Sequence, residues 1–367
     1  MLSKGISAFV GMGYTIEENR HYLRLARQAG FTRLFTSLHI PEANEKTLLE
    51  EFHALVEEAV KLGFQITADI SPRTLTLLQA SLGHLEPLRR LGLQALRLDF
   101  GFTPVEIARL SRESGFSIEI NASTVNEKLL QDIMDAGADP ARLQACHNYY
   151  PRPETGLSYD VFAERSRVFR NYKIPVLAFI PSRQNPRGPI FAGLPTLEEH
   201  RLWNPLQAAK HLAASALVDG ILFGDSLATP EELAEVGQVD ASCLVIQIES
   251  YPDLSKTERD ILFATRHTNR WDTGEHVVRS QEARGLCRGD ILPCRQKPRL
   301  RGNITLDNVQ YLRYMGELQV VKQALPADPR VNVVGKVVPE EAFLLEWMTP
   351  GRAFRFIERI EKKGESL

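Results

Sequence analysis

The residues with the clearest chemical potential are acidic side chains near the ends of apolar runs. Asp99 ends one such run, and Glu119 lies in the next run along the chain. Side chains alternate along a strand, so Arg97 shares a face with Asp99, and Asn121 shares one with Glu119. Parallel α/β barrels carry their chemistry at the carboxyl ends of the strands, whereas carboxylates in mid-strand only cost stability. Asp99 and Glu119 are therefore the first candidates for a catalytic carboxylate pair.

Further polar residues occupy equivalent places in other apolar runs. The third run contributes Asp69, the sixth contributes His147 and Asn148, and the eighth contributes Asp225. In isolation each has a structural explanation, such as Asp225 capping the following helix. Unpaired buried carboxylates are costly, so acids at several strand ends are better explained by a shared site.

The stretch after the seventh apolar run, residues 181–201, predicts an anion site. Loops at this place in an α/β barrel frequently bind phosphate, and guanidinium groups bind anionic oxygens in a bidentate way. Thr196 with Glu199 three residues later also fits a capping box, which is the structural alternative. The candidate anion-binding residues are Arg183, Arg187, Gly188 and Thr196. An earlier loop adds the aromatic Tyr149, suited to a sugar ring, and Arg152.

The elements that position these residues repeat regularly. Eight apolar runs alternate with amphipathic segments such as residues 47–62, which predicts a TIM (β/α)8 barrel over residues 1–236. An open doubly wound sheet is the alternative, but no third glycine follows Gly11 and Gly13 as a dinucleotide-binding turn requires. The predicted strands are residues 5–10, 32–40, 64–71, 95–101, 116–123, 143–150, 175–182 and 219–225.

Residues 237–367 have a different pattern of apolar and turn-forming residues, which predicts a smaller, mostly β domain. Short apolar segments alternate there with turns rich in Pro, Gly and Asn. The predicted strands are residues 243–248, 260–265, 318–323 and 331–338, and a terminal helix is predicted at residues 353–360.

Composition excludes several classes of partner. The chain has 44 basic and 46 acidic residues and a formal net charge of -2, so no overall field favours nucleic acid or an anionic membrane. The amino-terminal residues lack the apolar core of a signal peptide, and no run is long enough to span a bilayer. The four cysteines lack zinc-type spacing, so we expect reduced thiols and a cytoplasmic protein.

Several of these stretches resemble the bacterial 6-phospho-N-acetylmuramidase family, formerly an outer-surface-protein-like family of unknown function. The resemblance implies a TIM barrel followed by a cyclophilin-like β domain. It also implies hydrolysis of N-acetylmuramic acid 6-phosphate linked β-1,4 to N-acetylglucosamine, a small phosphorylated amino-sugar disaccharide, in peptidoglycan recycling. The similar segments are residues 4–7, 97–101, 119–123, 147–157, 187–189, 193–198 and 223–225.

A glycosidase needs a carboxylic acid and a second carboxylate, and the residues above supply them. We expect Glu119 to be the general acid, with a pKa raised by an acidic neighbour, and Asp99 to be its partner, although the reverse order is open. Asp69 and Asp225 are further catalytic candidates. The arginines would hold the phosphate or the lactyl carboxylate. The expected substrate contacts are Arg97, Asn121, His147, Asn148, Tyr149 and Arg152.

Two other function classes remain as alternatives. A phosphosugar aldolase or epimerase would need a Schiff-base lysine or a metal, yet Lys4 and Lys173 precede strands instead of following them. A metal set for such an enzyme would be His147, Asp69, Glu119 and Asp225. The second class is a non-catalytic sugar-phosphate-binding protein. The expected glycosidase needs no metal or other cofactor, and the sequence leaves open whether the chain forms a homodimer.

Overall fold

The chain folds as two compact units. The computed structural model describes residues 2–37, 45–99 and 101–359. Contacts between residues separate a unit that extends to Val239 from one that starts at Asp240. The domain boundary expected after residue 236 lies at the end of the helix Pro230–Gly237, just before this division.

The first unit is a closed barrel of eight parallel strands, which confirms the predicted fold class. Most strands end earlier than predicted, because the polar residues that follow them belong to loops at the barrel mouth. Residues 38–40 of the second predicted strand and residue 100 of the fourth lie outside the described residues. The strands are β1 (Ser3–Ser7), β2 (Arg33–Ser37), β3 (Gln65–Ile70), β4 (Ala95–Leu98), β5 (Ser117–Asn121), β6 (Leu143–Cys146), β7 (Val176–Ile180) and β8 (Gly220–Phe223).

Local capping sets where the surrounding helices begin. Capping boxes start several of them, and in the last helix of this unit Thr229 caps the backbone while Glu232 bonds back to it. The helices are α1 (Ile16–Gln28), α2 (Glu45–Lys61), α3 (Pro72–Leu77), α4 (Glu86–Arg90), α5 (Pro104–Glu113), α6 (Glu127–Asp135), α7 (Tyr159–Asn171), α8 (Pro205–Ser215) and α9 (Pro230–Gly237). Short 3-10 helices occupy Pro140–Arg142 and Glu198–Leu202.

The strand register places a row of polar side chains inside the barrel. Ser37 is paired with Asp69, Asp69 with Arg97, and Arg97 with Glu119 across neighbouring strands, and Gln144 follows Glu119. Registered residues of parallel neighbours point to the same side of a sheet. Barrel strands tilt against the axis, so the row runs obliquely from the half-buried Asp69 to the buried Gln144.

The second unit is built on one seven-stranded sheet, as expected for a mostly β domain. Its order is β10-β15-β9-β14-β12-β13-β11. The strands are β9 (Leu244–Ser250), β10 (His267–Thr268), β11 (Val277–Arg279), β12 (Asn303–Asp307), β13 (Leu318–Val321), β14 (Val331–Val337) and β15 (Ala353–Glu358). The helices are α10 (Lys256–Leu262) and α11 (Ala283–Leu286), with 3-10 helices at Val309–Tyr314 and Pro339–Trp347.

Two local predictions for this unit are wrong. The segment predicted as a strand at residues 260–265 begins within α10, because Ser255 and Glu258 form a capping box that starts a helix there. The predicted terminal helix is instead β15, which pairs in parallel with β9.

The four cysteines form no disulfide within the described residues. All four, Cys146, Cys243, Cys287 and Cys294, are free thiols. Within the described ranges, no helix combines the length and apolar character that crossing a bilayer requires.

Candidate active site

Aromatic side chains pack together at the carboxyl end of the barrel. Phe35 of β2 lies edge-on to Phe179 of β7, with ring centroids 5.5 Å apart. Tyr149, which follows β6, lies edge-on to Phe179 at 5.1 Å. Phe9, which follows β1, belongs to the same cluster. These rings form an apolar floor beneath the polar residues of the mouth.

Arg97 joins the polar residues above this floor. Its side chain is buried, and Nη1 donates to Glu119 Oε1 at 3.1 Å and to the Cys146 carbonyl at 3.2 Å. Nη2 donates to Asn148 Oδ1 at 2.6 Å and, more weakly, to Asp99 Oδ1 at 3.5 Å. Both terminal nitrogens are therefore committed to protein acceptors, so Arg97 positions its neighbours more than it offers itself to a ligand.

Asp99 is the member of the predicted acid pair that reaches solvent. Its side chain is 34% exposed. Asn121 Nδ2 donates to Asp99 Oδ1 at 2.6 Å and to Asn148 Oδ1 at 3.0 Å. The Ser123 amide in turn donates to Asn121 Oδ1 at 3.0 Å, which fixes the orientation of that amide. The structure thus brings Asp99, Asn121 and Asn148 together at the mouth.

Glu119 lies beneath the mouth. It is only 2% exposed, and Gln144 Nε2 donates to its Oε2 at 2.8 Å while Arg97 occupies Oε1. Burial raises its pKa and the Arg97 guanidinium opposes that shift, so the cause is burial and not the acidic neighbour we expected. Asp99 and Glu119 are connected through Arg97 and do not face each other across an open cleft.

Asp69 is a second acid close to the mouth. It ends β3, is half-buried, and accepts a long hydrogen bond of 3.4 Å from Ser37 Oγ. Its register partner on β4 is Arg97, two residues before Asp99 on the same face of that strand. Asp69 and Asp99 are therefore the candidate carboxylates that solvent, and hence a substrate, can approach.

Asp225 organises the loop after β7. Its Oδ2 accepts from the Ser182 and Leu194 amides at 2.8 and 3.0 Å, and its Oδ1 accepts from the Arg187 amide at 2.7 Å. The side chain is fully buried, which raises its pKa while the three amides oppose the shift. Asp225 thus uses both oxygens to hold the loop after β7, and its role as a catalytic acid stays a prediction.

Arg187 is the best-oriented cation at the mouth. Its guanidinium stacks over Phe9 at 4.4 Å and over Tyr149 at 5.1 Å, and Nη1 donates to Tyr149 Oη at 3.3 Å. Its Nε is buried and has no hydrogen-bond partner among the described residues. Tyr14 lies close enough for the charges of Arg187 and Asp225 to act on its pKa, which burial raises. Arg187 therefore brings a charged guanidinium to the mouth, where it can pair with an anion.

Two further predicted arginines lie on the rim. Arg183 is exposed, and its Nη1 donates to the Arg201 carbonyl at 3.0 Å. Arg152 is exposed as well, and its carbonyl accepts from Arg201 Nη2 at 3.3 Å. Arg201 thus holds the side chain of Arg183 through its own carbonyl and the backbone of Arg152 through its guanidinium, and both predicted arginines remain exposed.

Thr196 does not face an anion. It is fully buried: Oγ1 accepts from the Phe179 amide at 2.9 Å and donates to the Asn148 carbonyl at 2.8 Å. It also does not cap the 3-10 helix, which starts without a side-chain cap. Gly188 lies beside the exposed Phe191 ring, and its part in binding an anion stays a prediction.

His147 points away from the mouth, towards helix α7. It is fully buried, with Nδ1 3.2 Å from Ser123 Oγ and Nε2 3.0 Å from Ser166 Oγ. Burial, with the nearby Arg97 charge, lowers its pKa to about 3. Since Ser123 Oγ also accepts from the Asn148 amide at 2.9 Å, His147 supports the strand end and is not placed as a substrate contact.

The alternative function, a phosphosugar aldolase or epimerase, would need a Schiff-base lysine or a metal site at the mouth. Lys4 donates to the Gly237 carbonyl at the amino-terminal side of the barrel. In the part of the chain that the structure describes, no metal-ligand grouping contains His147, Asp69, Glu119 or Asp225.

Arg201 was missed by sequence reasoning, although it fixes both loops of the mouth. It is buried and paired with Glu198, whose pKa its hydrogen bonds lower to about 2. A Glu and an Arg three residues apart was the only signal in the sequence, and it indicates no tertiary contact. The carbonyls that Arg201 binds belong to Tyr150, Arg152, Ala192 and Gly193.

Comparison with known proteins places the chain in a family. The family models described as 6-phospho-N-acetylmuramidase, N-terminal and C-terminal, match residues 4–238 and 244–357. An uncharacterized B. cereus protein is 31% identical, with a TM-score of 0.87, over 98% of this chain and 100% of that one. A conserved Enterococcus faecalis protein of unknown function is 34% identical, with a TM-score of 0.73, over 97% and 96%. The search of curated proteins gave no match. Because the two family models span nearly the whole sequence, the chain belongs to the 6-phospho-N-acetylmuramidase family.

Proposed function

We propose that this protein hydrolyses the β-1,4 bond between N-acetylmuramic acid 6-phosphate and N-acetylglucosamine during peptidoglycan recycling. Membership of the family supports the reaction class. The observation that carries the proposal is the mouth of the barrel, where two solvent-reachable carboxylates, Asp69 and Asp99, and the guanidinium of Arg187 lie at strand ends or in the loops that follow them, at the same end of the barrel. Glycoside hydrolysis needs two carboxyl groups, and an anionic sugar needs a cation.

The environments of the two acids suggest different roles. Asp99 Oδ1 accepts hydrogen bonds from Asn121 and Arg97, which hold this carboxyl group in a fixed orientation. We assign Asp99 as the nucleophile or base and Asp69 as the proton donor. Glu119 acts through Arg97, which it holds in the position from which Arg97 reaches Asp99. This differs from the roles expected from sequence, because Glu119 has no open face towards a substrate.

The anionic groups of the substrate are assigned to the arginines of the mouth. Arg187 lies over the rings of Phe9 and Tyr149, and its guanidinium supplies the positive charge that a phosphate needs. Arg152 and Arg183 on the rim are placed for longer-range attraction of phosphate or the lactyl carboxylate. The half-buried ring of Tyr149 is an aromatic group of the kind against which a sugar ring packs.

The proposal is tested by incubating the protein with the 6-phosphorylated disaccharide and, separately, with its unphosphorylated analogue, and measuring released N-acetylglucosamine. We expect the phosphorylated substrate to be cleaved with a kcat/KM about 30-fold to 150-fold higher, as lost charge-assisted contacts of about 2–3 kcal/mol imply. Equal cleavage of both compounds would remove the phosphate assignment. Cleavage of neither would remove the proposed reaction.

A further inference from the structure

Two buried histidines and a glutamate converge on one point between a 3-10 helix and the middle of α8. Glu199 and His200 lie on the 3-10 helix Glu198–Leu202, and His211 lies on α8. His200 Nε2 is 2.8 Å from His211 Nδ1, which is 3.5 Å from Glu199 Oε1. One ligand atom of each residue lies within 4.8 Å of the other two. The mechanism proposed above uses none of these residues.

The three atoms that meet here are all potential lone-pair donors. A neutral imidazole has one N–H and one lone pair, so only one hydrogen can lie between the two facing ring nitrogens. The Glu199 carboxylate is a further acceptor that approaches the same nitrogen of His211. A divalent cation at the centre would accept all three lone pairs at once.

The surroundings hold the rings in place and leave one approach open. Trp203 packs against His200 and His211, with ring centroids 5.1 and 5.3 Å away. Tyr159 of α7 stacks on His211 at 5.3 Å. The two histidines are buried, but the Glu199 side chain is 41% exposed, so an ion can enter from that side.

We propose that Glu199, His200 and His211 form a Zn²⁺ site with water as the fourth ligand. Two imidazoles and one carboxylate form a donor set typical of Zn²⁺, whereas Mg²⁺ and Ca²⁺ prefer oxygen ligands. The bound ion ties the 3-10 helix to α8. The same 3-10 helix carries Glu198 and Arg201, which hold the two loops of the barrel mouth. Zinc therefore stabilises those loops.

The test is a calorimetric titration of the chelator-treated full chain with Zn²⁺ alone, together with its thermal unfolding and the absorption spectrum of a Co²⁺-loaded sample. Three variants accompany the wild type. Glu199→Gln removes the exposed ligand with little change of shape, and His211→Gln removes a buried one. His276→Gln is the matched control, because His276 is an exposed imidazole 3.9 Å from the carboxylate of Glu275.

We expect one Zn²⁺ per wild-type chain, a higher unfolding midpoint with zinc, and the visible absorption of four-coordinate Co²⁺. Glu199→Gln should weaken binding by about tenfold or more, His211→Gln by about 100-fold or more, and His276→Gln should leave it unchanged. Absence of stoichiometric binding overturns the proposal, as does equal affinity in Glu199→Gln and wild type. The comparison of Glu199→Gln with wild type tests the proposal even if His211→Gln fails to fold.

Discussion

The substitution Asp225→Asn isolates the carboxylate that holds the loop after β7. Asp225 accepts from three amides, those of Ser182, Arg187 and Leu194. An asparagine can keep the two bonds made by Oδ2 if its oxygen takes that place. Its NH2 group then faces the Arg187 amide. Both groups are hydrogen-bond donors, so the hydrogen bond between Arg187 and residue 225 is lost.

The cost follows from the bond that is lost. A hydrogen bond to a charged group contributes about 1.5–3 kcal/mol, and an amide left facing a donor adds a desolvation cost of similar order. We therefore expect the loop to lose about 2–4 kcal/mol of local stability. At about 1.4 kcal/mol per tenfold change, its opening should become about 30-fold to several-hundred-fold more frequent.

The assay is hydrogen exchange read by mass spectrometry on peptides that cover residues 181–195. Asp139→Asn is the matched control, because Asp139 accepts a hydrogen bond of 3.0 Å from the Ala141 amide and asparagine caps a helix equally well. Faster exchange confined to the loop in Asp225→Asn, with no change in Asp139→Asn, is the expected result. Unchanged exchange in Asp225→Asn would refute the scaffolding assignment.

Three other outcomes are expected. Arg187→Met should raise KM for the phosphorylated disaccharide about tenfold to 100-fold and leave KM for the unphosphorylated analogue nearly unchanged; equal changes in steady-state kinetics would contradict the phosphate contact. Burial and nearby acids raise the pKa of Asp307 to about 7, so its charge destabilises the second unit increasingly as pH rises from about 4 towards 7. Asp307→Asn should therefore raise the unfolding midpoint at pH 8 and change it little at pH 4, and a rise that is independent of pH would argue against this. Because burial lowers the pKa of His147, stability should fall as pH drops below about 6.5; His147→Gln should flatten that dependence in thermal unfolding, whereas the exposed His21→Gln should not.

The barrel could be predicted because its signal is periodic and repeated. Eight apolar runs separated by amphipathic helices are compatible with few folds, and all eight runs contain strands. The ends of the strands could not be placed, because residues such as Asp99 and Asn148 are polar for reasons that arise only in the folded mouth.

In the second unit, two elements were predicted wrongly although the sequence contained signals for the correct ones. The predictions followed the apolar content of these segments and not those signals. Ser255 and Glu258 are spaced as a capping box, and they start the helix that was predicted as a strand. At the other end, Phe354 and Phe356 are buried while Arg355 between them is exposed. This alternation is typical of a strand and contradicts the predicted helix.

The candidate site was predicted as a collection of residues but not as an arrangement. Acids at strand ends could be named in advance, since the carboxyl ends of parallel strands meet at one edge. Which of them reach solvent depends on strand tilt and on long-range partners. Gln144 and Arg97 enclose Glu119, and the loop amides enclose Asp225, while Asp99 is left accessible. Sequence spacing contains no information on these contacts.

The most direct test of the central claim measures turnover of the phosphorylated disaccharide by Asp99→Asn and Asp69→Asn, together with the affinity of each variant for that compound. We expect each variant to bind within about threefold of wild type and to lose turnover by about 1,000-fold or more, because the variants keep their shape but lack a carboxylate needed in the transition state. Turnover near the wild-type rate in both variants would contradict the assignment of the chemistry to the mouth of the barrel.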